Sequence, residues 1–157
     1  MSPFALPRKI EEELCPVHKH WRLLKRAGNE MPFWDDLKLN ELSSFADRLM
    51  IIDVIERPER FRFNTVGNAL AAHYGINPVG KFTNEIEPKP PFNYLTAQCS
   101  STAESRAPTY YERKANKDSG EQAYARLLLP LWGEGSVRML LGAIAFAKRA
   151  STLRRRK

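Results

Sequence analysis

Cysteine is scarce in this 157-residue chain: only Cys15 and Cys99 occur, far apart and in no CxxC spacing. A disulfide framework and a thiol-rich zinc site are therefore excluded, and a reducing, cytoplasmic setting is expected. Long apolar runs are lacking too. The two longest, around Leu49 to Ile55 and Met139 to Ala147, fall well short of the ~20 residues a membrane-crossing helix needs. The N-terminus has no basic start followed by an apolar core, so neither secretion nor membrane insertion is expected. No GxSxG, HExxH, Walker or dinucleotide glycine motif occurs. Gly133-Glu134-Gly135-Ser136 has the glycines, but strand candidates flank it on both sides, and it reads as a hairpin turn.

Acidic residues are in deficit, 18 against 25 basic, for a net charge of +7. Part of the excess is terminal: Lys148, Arg149, Arg154, Arg155, Arg156 and Lys157 make a run that self-repulsion keeps extended. Residues 149–157 are expected to be a flexible basic tail. Such a tail can neutralise phosphates of nucleic acid or an anionic membrane surface. No aromatics interleave with it and no recognition helix is apparent, so nucleic acid is not the expected partner.

What the chain does have is 43% hydrophobic residues, enough for one sizeable core and too few for two domains. Ile10, Leu14, Val17, Trp21 and Leu24 recur at spacings of four and three, which places them on one stripe of a helix within an N-terminal extension, residues 1–30. Pro16 interrupts the stripe, so the alternative is a short first helix followed by a second with Pro16 in its opening turn. Gly28 is the stop signal. Leu39 to Phe45 reads as a short helix burying Leu42 and Phe45.

Strands follow. Leu49 to Ile55 and Arg60 to Val66, joined by Glu56-Arg57-Pro58-Glu59, read as a hairpin, with Phe61 and Phe63 on one face and Arg60 and Arg62 on the other. Asn68 to Tyr74 reads as a short helix capped by Asn68 and ended by Gly75. A further helix is expected from Pro91 or Phe92, with Tyr94, Leu95, Cys99 and Thr102 on one side. Thr109 to Ala115, Gln122 to Leu131 and Val137 to Ala147 are three more strands, separated by glycine-bearing turns.

Four local words carry a resemblance: Trp21; Arg60-Phe61-Arg62-Phe63 with Val66-Gly67, Ala69, Tyr74-Gly75 and Gly80; Leu127-Leu128-Leu129-Pro130-Leu131; and Met139-Leu140-Leu141-Gly142-Ala143. In this order and with these gaps, the chain from Trp21 to Phe146 resembles the small bacterial stand-alone proteins of the PAS domain superfamily. It departs from them at Ile76-Asn77-Pro78-Val79, where an acidic residue and a threonine are usual. The resemblance implies an α+β fold over residues 31–148, a five-stranded antiparallel sheet with short helices on one face and a small-molecule cavity between.

Asp53, Arg60, Arg62 and Arg138 mark the wetter sheet face, which assigns Ile52, Val54, Phe61, Phe63, Met139 and Leu141 to the helix-covered side, with Tyr74 beside them. Those seven are the ligand-pocket candidates. Leu140, Ile144 and Phe146 then fall on the opposite face, which needs cover from the N-terminal helix of the same or a second subunit. The stripe Ile10, Leu14, Val17, Trp21 and Leu24 is the candidate dimer interface.

His73 could ligate a haem, as in some PAS domains, and Cys15, His18 and His20 invite a zinc reading. Ordinary helix and surface residues are favoured for all four, so no metal site is assigned and no cofactor is named. Asp35-Asp36 and Glu11-Glu12-Glu13 read as solvated faces, and Tyr110, Tyr111 and Tyr124 as half-buried strand residues.

The expectation is a non-enzymatic, cytoplasmic sensory or regulatory module in signal transduction, homodimeric, binding a small ligand, a separate signalling protein, or both. The rivals are a small enzyme using the helix–sheet cavity and a polyanion-binding protein acting through the basic tail.

Overall fold

The computed structural model describes residues 3–147; the basic tail lies outside the described residues. A 3₁₀ turn, Glu12–Leu14, leads into α1, Cys15–Leu23, and Pro16 sits in its first turn, where a missing amide costs nothing. The two-part reading of the N-terminal stripe is thus the one adopted. Two further 3₁₀ segments follow, Trp34–Asp36 and Leu39–Arg48, the latter kinked at Leu42 and burying Leu42 and Phe45 as expected.

The strands are β1 (Leu49–Ile55), β2 (Arg60–Val66), β3 (Thr109–Arg113), β4 (Tyr124–Trp132) and β5 (Val137–Phe146). They form one five-stranded sheet in the order β2-β1-β5-β4-β3, antiparallel at every pairing. The hairpin around Phe61 and the closing meander are therefore joined by the β1–β5 pair. Between them lie α2 (Asn68–Tyr74) and α3 (Leu95–Ser105).

Three helix ends differ from expectation, the first being that of α1, which stops at Leu23 with Leu24 as its cap, short of Gly28. The residue that caps α2 is Gly67, whose carbonyl accepts from the Leu70 and Ala71 amides; Asn68 is already helical. α3 begins only at Leu95, because Tyr94 adopts the left-handed region at φ 58° and cannot continue a right-handed helix. Tyr94 consequently leaves the buried side and is 64% exposed, while Leu95, Cys99 and Thr102 are buried as read. Gly75, at φ +113°, ends α2 in a conformation that favours glycine.

Register decides which residues share a face, because partners directly opposite point the same way. Ile52 pairs with Phe63 and Leu140, and Val54 with Phe61. Met139 pairs with Asp53 and Leu141 with Ile51, so both lie on the other face. The placement of Met139 and Leu141 beside Phe61 and Phe63 is corrected, and with it that of Leu140, Ile144 and Phe146. A shift of one residue moves a strand's whole side-chain set across the sheet, and an almost uniformly apolar β5 carries no alternation from which to read the phase.

Helices α2 and α3 cover the face of Ile52, Phe63, Arg126 and Phe146: His73 stacks on Phe146 at 4.4 Å, and Gln98 bonds Arg126 and Thr109. The N-terminal segment covers the other face. There the Tyr110 hydroxyl accepts from the Glu11 amide at 2.9 Å, and the Trp21 indole donates to the Pro130 carbonyl at 2.8 Å. Leu14 and Val17 are wholly buried and Trp21 is 3% exposed. Ile10 and Leu24 are half-buried.

The stripe is thus spent inside its own subunit, and its assignment as a dimer interface is corrected for Leu14, Val17 and Trp21. Leu127, Leu129 and Leu141 present an apolar surface on that sheet face and are fully buried, as are Leu14 and Val17.

Candidate functional site

The apolar part of the helix-covered face is filled by side chains. Phe92, from the segment before α3, packs at 5.2 Å from the Phe63 ring and 5.1 Å from that of Tyr74. Ile52, Phe61, Phe63 and Tyr74 are all buried there. Of the seven pocket candidates the structure brings together these four, with Val54 half-buried at the margin; Met139 and Leu141 are on the far side. Tyr74 also ties the loop above it, its hydroxyl accepting from the Glu87 amide at 2.8 Å and donating to the Glu87 carbonyl at 3.4 Å.

Beside this cluster lies a polar one, centred on Arg126 of β4, whose side chain is fully buried. Its Nε donates to Gln98 Oε1 at 2.7 Å, Nη1 to the Pro91 carbonyl at 2.8 Å and Nη2 to the Asn93 carbonyl at 2.7 Å. The guanidinium also lies over the Tyr111 ring, 4.8 Å from its centroid. Gln98 Nε2 donates onward to Thr109 at 3.0 Å, Thr102 and Thr109 share a 2.6 Å hydroxyl contact, and Tyr124 donates to Asn93 Oδ1 at 2.8 Å.

Burial opposes the charged guanidinium and lowers its pKa, yet an arginine stays protonated under all ordinary conditions. None of the ion pairs among the described residues includes Arg126. A buried cation with no anion costs several kcal/mol, roughly, against hydration; here oriented carbonyl dipoles and an aromatic face supply the offset.

Other groups in this interior are poor acids, bases or nucleophiles. Burial pushes the Cys99 thiol up to about 12, and burial likewise raises the Tyr124 hydroxyl to about 12. Both are held neutral, as hydrogen-bonding or packing groups.

A surface cleft of about 390 Å³ lies between the 3₁₀ turn Thr83–Glu85 and the start of α3 and shares Phe92 with the apolar cluster; Arg126, Gln98 and Asn93 do not line it. Ile86, Pro88, Phe92, Tyr94 and Leu95 give it apolar walls, and a 2.8 Å contact between the Thr83 and Thr96 hydroxyls crosses it. A second cleft of about 540 Å³ opens on the other face beside Asp53, Arg62, Asn64 and Arg138, with Arg138 stacked on Trp34 at 4.7 Å. Asp53 is already engaged there by Arg62 at 3.4 Å and by Asn64.

The remaining sequence candidates stay apart from both clusters. His73 stacks on Phe146, and burial lowers its pKa. His18 stacks on Trp21 at 6.2 Å, and its pKa is lowered first by burial and then by Arg22 and Lys25. His20 faces Glu41 at 3.6 Å. No three His, Cys, Asp or Glu side chains converge as a metal site among the described residues. Asp36 pairs with Arg26 and Glu13 with Arg48, both at 2.9 Å.

Sequence reading missed Arg126, Gln98, Asn93 and Thr109. The signal that could have found them is Arg126 itself, a charge at the head of the apolar run Leu127 to Leu131 in a strand paired on both sides.

No family model matches the chain, and no curated protein matches it. Among solved structures, the PAS domain of Bordetella pertussis BvgS is similar at 17% identity over 74% of this chain and 91% of that one, with a TM-score of 0.42. The assignment of this chain to an α+β fold with a five-stranded antiparallel sheet rests on its own strand pairings. No helix among the described residues is long and apolar enough to cross a membrane.

Proposed function

We propose that this chain is a non-enzymatic sensory or regulatory module of the PAS type, a cytoplasmic relative of the small bacterial stand-alone PAS proteins. It acts in signal transduction by binding a small ligand, a separate signalling protein, or both. The observation that carries the reading is the Arg126 cluster. A single buried cation ties strand β4 to α3 through Gln98 and to the segment before α3 through the Pro91 and Asn93 carbonyls. Sheet, covering helix and the segment before it are thereby coupled at one side chain, alongside the Gln98 and Thr102 bonds to Thr109, so an event that displaces the segment also alters the sheet's interior. The chemistry of the interior supports binding over catalysis: its titratable neighbours are held neutral, whereas general acid–base work needs a group poised near the working pH.

Homodimerisation belongs to the same reading, through a surface other than Leu14, Val17 and Trp21. The test is native mass spectrometry of protein purified without denaturant, paired with in-cell crosslinking and identification of the attached chain. A retained small molecule or one recurrent partner is expected. A chain that carries neither, under conditions where it is expressed and folded, sinks the regulatory reading.

A further inference from the structure

We infer that Arg126 anchors a binding site for a small apolar monocarboxylate, entered through the cleft between Thr83–Glu85 and α3. The inference deepens the regulatory reading above and rests on it.

The first ground is charge. Arg126 is buried, permanently cationic and, among the described residues, partnered by neutral groups: an amide oxygen, two main-chain carbonyls, a ring face and the Tyr124 hydroxyl. Buried charges are ordinarily paired, and a carboxylate is the ligand group that pairs with guanidinium most specifically, through two parallel N–H···O bonds.

The second ground is donor capacity. A guanidinium has five N–H groups, and the protein accepts from it in three hydrogen bonds, one at each nitrogen. Nη1 and Nη2 each have a further hydrogen beyond these, and the Tyr124 hydroxyl is an additional partner of the guanidinium, so a carboxylate would take its bonds in place of Tyr124 and the Asn93 carbonyl while Nε retains its hold on Gln98.

The third ground is access. Two of the three acceptors belong to one segment, at Pro91 and Asn93, and its Phe92 and Tyr94 line the cleft. Tyr94, next along the chain, is held at φ 58°. Such a backbone is strained in a non-glycine residue and is found at ligand clamps and switches. Rotation about Asn93 and Tyr94 would withdraw the Asn93 carbonyl and relax that conformation together, and a ligand oxygen would then accept the bond that carbonyl gives up.

The cleft walls choose the rest of the molecule. Ile86, Pro88, Phe92 and Leu95 accept an apolar body. Glu87 at the rim, which Lys89 approaches only to 3.8 Å, disfavours a second carboxylate, so the ligand proposed is a monoanion.

The experiment is calorimetry and thermal shift on the full chain with benzoate and hexanoate, set against benzamide and hexanamide, with chloride as the small-anion control. The acids should bind saturably and at least about tenfold more tightly than the amides, the difference a charged hydrogen bond makes. Hydrogen exchange should slow over residues 91–95. Acids and amides that bind alike, chloride that matches the acids, or no binding at millimolar concentration overturns the inference.

Arg126→Gln should lose the preference for acids. Should that variant fail to fold, Ala97→Trp decides: it blocks the cleft from its exposed rim without touching the guanidinium, and undiminished acid binding in it overturns the assigned route. Failure of every acid in a protein that still carries a crosslinked partner defeats this inference alone. Absence of both a retained molecule and a partner defeats the regulatory reading beneath it.

Discussion

Trp21→Ala separates a helix that covers its own sheet from one that docks on a second subunit. Trp21 is 3% exposed, and its indole donates to the Pro130 carbonyl at 2.8 Å. A tryptophan buries about 150–250 Å², which at ~25 cal/mol/Å² comes to about 4–6 kcal/mol. Measured truncations of this kind cost about 3–5 kcal/mol, because the site partly collapses. For a domain of this size that lowers Tm by about 6–20 °C.

Trp21→Phe keeps most of the apolar contact but leaves the buried Pro130 carbonyl without its donor, for a smaller loss of about 1–3 kcal/mol. The assay is thermal unfolding of wild type and both variants at protein concentrations spanning two decades. Because the contact lies within one chain, the losses should not depend on concentration; a contact between subunits would make wild-type Tm rise with concentration and the variants lose that rise. A concentration-dependent loss, or no loss at all in Trp21→Ala, refutes the intrachain placement.

Gly67→Ala should be destabilising by at least about 1–3 kcal/mol by denaturant unfolding, through overpacking. A Cβ there would lie 2.3 Å from the Asp47 carbonyl oxygen, and backbone atoms cannot step aside as a side chain tip can. Thiol titration should find Cys15 reactive in the native protein and Cys99 only after unfolding, since Cys15 is exposed whereas Cys99 is buried with its thiol pushed up to about 12. Two fast-reacting thiols would contradict that burial.

Burial holds His73 and His18 below their ordinary value of 6.5, with Arg22 and Lys25 adding to the effect at His18. In that window the unfolded chain binds the proton first, so their contribution to stability is full above about pH 6.5 and declines as pH falls through the folded-state values. The double variant His18→Gln/His73→Gln should flatten the stability slope between about pH 7 and 5; an unchanged slope would show that other groups carry it.

Much of the fold was legible because it is written locally. The hairpin around Phe61, the 3₁₀ segment burying Leu42 and Phe45, and the closing meander each follow from spacing, turn residues and β-branched or aromatic runs. Boundaries failed where a single backbone angle decided them, as at Tyr94, which nothing in its side chain announces. The candidate site was legible only in its apolar half. Ile52, Phe61, Phe63 and Tyr74 do converge, but the polar half needs Arg126, Gln98 and Asn93 to meet from positions up to 33 residues apart.

The sequence alone determined the number of strands, their order along the chain and the apolar stripe of the N-terminal helix, since composition and short-range periodicity act within one element. Tertiary structure decided what those elements face. Pairing register put Leu140 rather than Met139 and Leu141 beside Phe63, and packing of the N-terminal segment turned the stripe of Leu14, Val17 and Trp21 onto its own sheet. The segment before α3 enclosed a lone arginine with its carbonyls. The reason is physical: a side chain's neighbours across a sheet are set by hydrogen bonding between distant segments, and no local pattern records which of two faces a uniformly apolar strand will offer.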